Sequence, residues 1–153
     1  MNFPQYFSRN RKFQIVIPIG ASFLISIFIY LLLRPESILV LRPQLGFLLD
    51  LIETILISLI AIAPLIYGWF TKRPWESALF GILLNVFLSI PGFLAAVHFP
   101  GKMGFLEPIA FGGALALTSA GAGYLAARGD IRYYTGALIF VLLWVFVFLS
   151  GLN

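Results

Sequence analysis

Ile139-Phe140-Val141-Leu142-Leu143-Trp144-Val145-Phe146-Val147-Phe148-Leu149 holds no polar side chain except the indole of Trp144. The run sits inside residues 133–152, a segment about as long as the ~20 residues an α-helix needs to cross a ~30 Å hydrocarbon layer. Working back along the chain, four more apolar segments of similar length follow, at 105–127, 77–99, 45–70 and 13–33. The breaks between them carry turn and interface chemistry: Arg34-Pro35-Glu36, Arg42-Pro43, Lys72-Arg73-Pro74, Pro100-Gly101-Lys102 and Arg128-Gly129-Asp130. A backbone in lipid must bond its own N–H and C=O groups, and the period-two alternation of barrel strands is absent, so each segment reads as a helix. The expectation is an all-α, polytopic transmembrane helix bundle of about five spanning helices, one domain over residues 1–153.

Composition supports this. The hydrophobic share is 61%, the charged share 10% and the mean hydropathy +1.01, whereas soluble domains carry about 25% charged residues. Such a chain has too little polar surface to cover a globule in water, and the lipid bilayer is its first partner. With no cysteine, disulfides and thiolate chemistry are excluded. His98 is the only histidine, which excludes multi-histidine zinc sites. The sequence points to no cofactor. The high isoelectric point does not signal nucleic acid, because the basic residues sit at segment ends rather than on one soluble face. The first apolar segment is too long for a signal-peptide core and lacks a small-residue cleavage site, so it reads as an uncleaved span.

Lysines and arginines set the expected orientation. Arg9, Arg11, Lys12, Lys72, Arg73, Arg128 and Arg132 fall on one side of the spans; Arg34, Arg42 and Lys102 fall on the other. The excess predicts a cell (inner) membrane protein with a cytoplasmic amino terminus and an external carboxyl terminus. Trp69, Trp75, Tyr133 and Tyr134 form an aromatic belt on the same basic side. A weak internal echo relates Gly46-Phe47-Leu48 to Gly104-Phe105-Leu106, and Ser77-Ala78-Leu79-Phe80 to Gly136-Ala137-Leu138-Ile139-Phe140, as in transporters built from parallel repeats. No motif amounts to a family signature.

Candidate site residues are the polar groups and helix breakers inside these spans. Asp50 and Glu53 stand three residues apart on one helix face. Charged groups there cost roughly 2.5–3.5 kcal/mol each on insertion scales, so they usually face an interior, a cavity or the headgroups. With Glu107 and His98 they gather toward the outer side, as candidates for an ion or proton site; no ligand spacing supports a metal site. Pro64 and Pro91-Gly92 interrupt their segments, and each mid-span proline frees the carbonyl four residues earlier. Counting from the outer segment ends, Glu53, Pro91-Gly92 and Gly112-Gly113 lie roughly 10–12 Å deep, which suits a shallow pocket. Asn85 is expected in an interhelical hydrogen bond or, less simply, at a ligand. Gly112, Gly113, Ala116, Ala120 and Gly123 form small-residue ridges for close helix packing, so the fourth helix should be the most enclosed and the fifth should face lipid.

Two functions follow. One is translocation of an ion or small solute through an outward-facing acidic site, by an oligomer or with partner membrane subunits. The other is a non-catalytic structural or assembly subunit of a larger membrane complex. No nucleophile–base pair is visible, which argues against an enzyme.

Overall fold

Proline begins two of the helices, at the first position, where its missing N–H leaves nothing unpaired. The computed structural model describes residues 11–32, 35–98 and 106–151. These residues form five helices: α1 Arg11–Leu32, α2 Pro35–Thr71, α3 Pro74–His98, α4 Leu106–Ala126 and α5 Ile131–Ser150. Turns at Lys72-Arg73 and at residues 127–130 join α2 to α3 and α4 to α5. Lys72 (φ 55°) and Gly129 (φ 77°) both adopt the left-handed backbone that reverses a chain tightly. Asp130 stands in the extended region before α5, and its carbonyl accepts from the N–H groups of Tyr133 and Tyr134.

The connection expected around Arg34–Gln44 is corrected. Helix α2 runs unbroken from Pro35 to Thr71, 37 residues, or about 55 Å at 1.5 Å per residue. Pro35 starts it, and Pro43 lies within it. A proline removes one ladder bond and bends a helix, but it does not force an end. Pro18 and Pro91 likewise sit inside continuous helices. Pro18 and Pro64 are fully buried, so these rings fill interior space.

Among the described residues, four stretches are long and apolar enough to cross a membrane: Thr54–Thr71, Pro74–Pro91, Ile109–Ala126 and Ile131–Ser150. The apolar stretch of α1, Ile15–Tyr30, is shorter. The chain is a membrane protein built as a helix bundle. Helix α4 packs on α2, α3 and α5; α3 packs on α1 and α2; and α2 also touches α5. Thus α2 to α5 enclose a common centre, with α1 against α3. Leu56, Ile60, Phe80, Leu84, Leu115 and Trp144 fill that centre. Tyr67 stacks on Phe80 with ring centroids 4.5 Å apart.

Between lipid-soaked helices, packing must replace the hydrophobic drive, so backbones come together where side chains are absent. A Cβ at Gly68 would strike the Gly123 carbonyl, and one at Gly123 would lie 2.6 Å from the Ser77 carbonyl oxygen. One at Gly81 would lie 2.7 Å from the Ser119 carbonyl oxygen. Three helices therefore meet at Gly123. The expectation that α4 is the most enclosed needs amending. A third (33%) of Ile109–Ala126 is buried, but so is 33% of Pro74–Pro91, against 17% of Ile131–Ser150. Helix α3 shares the interior because α1 covers its other side through Ser22, Ser26 and Ile29, all buried.

Candidate functional site

Asn85 is the most buried amide in the centre, 2% exposed. Its Nδ2 donates to the Gly81 carbonyl one turn back at 2.9 Å, and its Oδ1 accepts from Trp144 Nε1 at 3.0 Å. An indole N–H in hydrocarbon needs a partner, and α3 supplies it across the bundle to α5. Trp144 also stacks on Phe148 at 5.3 Å. Asn85 thus belongs to an interhelical hydrogen bond, and its amide is spent there. Trp144 is the residue that sequence reasoning missed. The signal was present: a lone indole in an otherwise apolar segment, facing a lone amide in another. Ser119, also buried, has an Oγ without a hydrogen-bond partner among the described residues.

Beyond Asn85, α3 and α4 diverge around a groove of about 370 Å³ lined by Val86, Ser89, Ile90, Phe93, Ile109, Gly112, Gly113 and Ala116. Among the described residues, Ser89 is its one side chain with a hydroxyl, and that Oγ donates to the Asn85 carbonyl at 2.8 Å. Ile90 and Phe93 flank Pro91-Gly92 in the chain, but Pro91, Asn85 and Pro64 do not line the groove, and its described walls are apolar. Gly112 packs on Ser89, whose Oγ would lie 3.0 Å from an added Cβ; Ala116 is buried and Ala120 half-buried. Gly113 departs from the expected packing ridge: it is exposed, with nothing within 4 Å of where a Cβ would stand.

Asp50 and Glu53 fall in α2, His98 and Gly92 in α3 and Glu107 in α4; their side chains lie outside the described residues. Helix register still places them along the bundle. From the end that carries the two tight turns, Glu53 lies about 27 Å along its axis, Glu107 about 29 Å, Asp50 about 32 Å and His98 about 36 Å. Across a ~30 Å hydrocarbon layer these positions fall at the opposite boundary, shallower than the 10–12 Å read from the segment ends. The difference arises because segment 45–70, about 39 Å as a helix, is longer than the layer, so its outer end is not the boundary. Pro91 is about 26 Å and Gly112 about 21 Å along, so Glu53 stands level with Pro91 but beyond the glycines. Among the described residues, no three Asp, Glu, His or Cys side chains group as a metal site.

The turn end is basic and aromatic. Arg128 lies over the Tyr124 and Tyr133 rings, at 4.9 and 5.2 Å from their centroids, and donates to both hydroxyls. These bonds, Tyr124's first, push its pKa above the ordinary arginine value. Lys72 Nζ donates to Tyr134 OH at 2.7 Å and joins the two turns. Such rings suit the membrane–water boundary, where an apolar body and a polar tip are both satisfied. No known protein family, characterised protein or solved structure matches this chain.

Proposed function

We propose that the protein is a non-catalytic helix-bundle subunit, working in the cell (inner) membrane as an oligomer or with other membrane subunits. The observation that carries this reading is the closed centre. Phe80, Leu84 and Trp144 are fully or almost fully buried there, and the Asn85 amide is committed to Trp144 and Gly81. The groove between α3 and α4 is apolar and suits a lipid tail or another helix better than a hydrated ion. The orientation that goes with this proposal has the turn end and the amino terminus in the cytoplasm, on the strength of the Lys/Arg excess.

A second reading, translocation of an ion or small solute, keeps one support: Asp50, Glu53 and Glu107 stand on two helices at a similar height near the far boundary. Two measurements on purified protein separate the readings. In mild detergent, light scattering should give a particle with more than one chain at fixed stoichiometry. In liposomes, proton or cation flux should not exceed that of empty vesicles. A single-chain particle, or flux that Glu53→Gln abolishes, overturns the subunit reading.

A further inference from the structure

Where α1 approaches the α2–α3 turn, the bundle leaves a pocket of about 450 Å³ lined by Ile15, Lys72, Arg73, Pro74, Trp75, Glu76 and Leu79. Its chemistry changes across its depth. Ile15 and Leu79 belong to the apolar stretches Ile15–Tyr30 and Pro74–Pro91; Lys72 and Arg73 come from the turn beyond the membrane-crossing stretches. Trp75, 78% exposed and edge-on to Tyr124 at 5.3 Å, stands at the junction. A pocket with cations at the water side and alkyl walls at the lipid side fits a molecule that is anionic at one end and apolar at the other.

The charges are arranged for such a ligand. Glu76 Oε1 holds Arg73 Nη1 at 2.9 Å, which orients the guanidinium but uses only one of its nitrogens. Arg73 makes no other side-chain hydrogen bond among the described residues. Lys72 bonds to Tyr134 OH, a neutral group, and meets no carboxylate among the described residues. Two cations against one acid leave the pocket with a net positive charge. Arg11 and Lys12 occupy the first turn of α1, one turn before Ile15. Lys72 itself turns the backbone at a φ of 55°.

We propose that this pocket binds the phosphate headgroup of an anionic phospholipid, with Lys72 and Arg73 as the phosphate ligands, Trp75 at the glycerol level and Ile15 and Leu79 against the acyl chains. The same cations could take free phosphate, but the alkyl walls and the open bilayer side favour the lipid. Basic pockets between membrane helices recognise anionic headgroups in this manner.

The experiment uses the full chain, delipidated and supplied with equal phosphatidylglycerol and phosphatidylcholine in mixed micelles, with retained lipid read by native mass spectrometry. Wild type should retain phosphatidylglycerol preferentially. Each cation should contribute about a fivefold preference, so Lys72→Gln with Arg73→Gln should remove roughly 25-fold. Arg132→Gln, an exposed base at the same end but outside the pocket, should leave the preference unchanged. Equal retention of both lipids by wild type overturns the proposal, as does equal loss in the Arg132 variant. Thermal unfolding of wild type alone provides an arm that needs no variant. Phosphatidylglycerol should raise the midpoint relative to phosphatidylcholine, and glycerol phosphate added to phosphatidylcholine should not. If glycerol phosphate matches the lipid, the site is one for free phosphate and the lipid assignment fails.

Discussion

Asn85 and Trp144 form a bond whose value can be measured separately from the burial around it. Asn85→Leu keeps the branched shape with somewhat more bulk and leaves the Trp144 N–H unpaired, which should destabilise the bundle by about 1–3 kcal/mol. Trp144→Phe removes the donor and keeps a ring on Phe148. The double variant should recover a coupling of about 0.6 kcal/mol, with ~1.7 as the upper range for hydrogen bonds between membrane helices. Reversible unfolding in mixed micelles reads all four corners of the cycle, and zero coupling would mean that the bond contributes only shape. The glycines make a second contrast. Gly123→Ala puts a methyl 2.6 Å from the Ser77 carbonyl oxygen, so α3 and α4 must separate, and the yield of monodisperse protein should collapse. Gly113→Ala meets open space and should also remove the entropic penalty of a helical glycine, stabilising by about 0.5–1 kcal/mol. Equal loss at both positions in size-exclusion profiles would contradict the packing described.

Helix α2 is the element whose reading changed most, and its far half invites a direct probe. The chain has no cysteine, so single replacements report without background. If the hydrocarbon boundary lies near Glu53, then Asp50→Cys should react with a membrane-impermeant maleimide, while Leu56→Cys and Ile60→Cys, buried positions in the bundle, should not. Labelling that continues to position 60 would instead mean water inside the bundle, and would favour translocation. The element scale also shows what the sequence could and could not reveal. The helices were legible because ~20-residue apolar runs in lipid leave the backbone no other choice. The start of α2 was not, because Pro35 and Pro43 suit a loop and a helix start equally well. The contacts at Gly68 and Gly81 were missed for a related reason: an isolated glycine in an apolar run shows that a close approach is possible, not which helix makes it. The groove's position near Pro91 and Gly112 could be read from helix register, but its apolar walls depended on which faces α3 and α4 turn to each other.

At the scale of the molecule, the two hairpins α2–α3 and α4–α5 reverse at the same end, tied by Lys72 and Tyr134. This places the carboxyl end of α5 on the side opposite both turns. The proposed orientation therefore makes a paired prediction: a reporter fused after Asn153 should report the external side, and one inserted at Gly129 the cytoplasmic side. Signals from the same side would require a different number of crossings between them. The common direction of the hairpins is compatible with the echo between residues 46–80 and 104–140, although the central hydrogen bond falls outside it, with Asn85 on one side and Trp144 on the other.

That central bond also dictates an order of events at the ribosome. Asn85 and Trp144 are 59 residues apart, a lag of roughly 3–12 s at ordinary elongation rates. During that interval α3 must wait in the bilayer with one amide hydrogen bonded to Gly81 and its carbonyl oxygen unanswered. Helix α5 is thus the one that completes this central contact, after α3 and α4 are already in the bilayer. A nascent chain that stalls after α4 would leave the Asn85 Oδ1 without its Trp144 partner, the kind of defect by which membrane quality control recognises an unfinished protein.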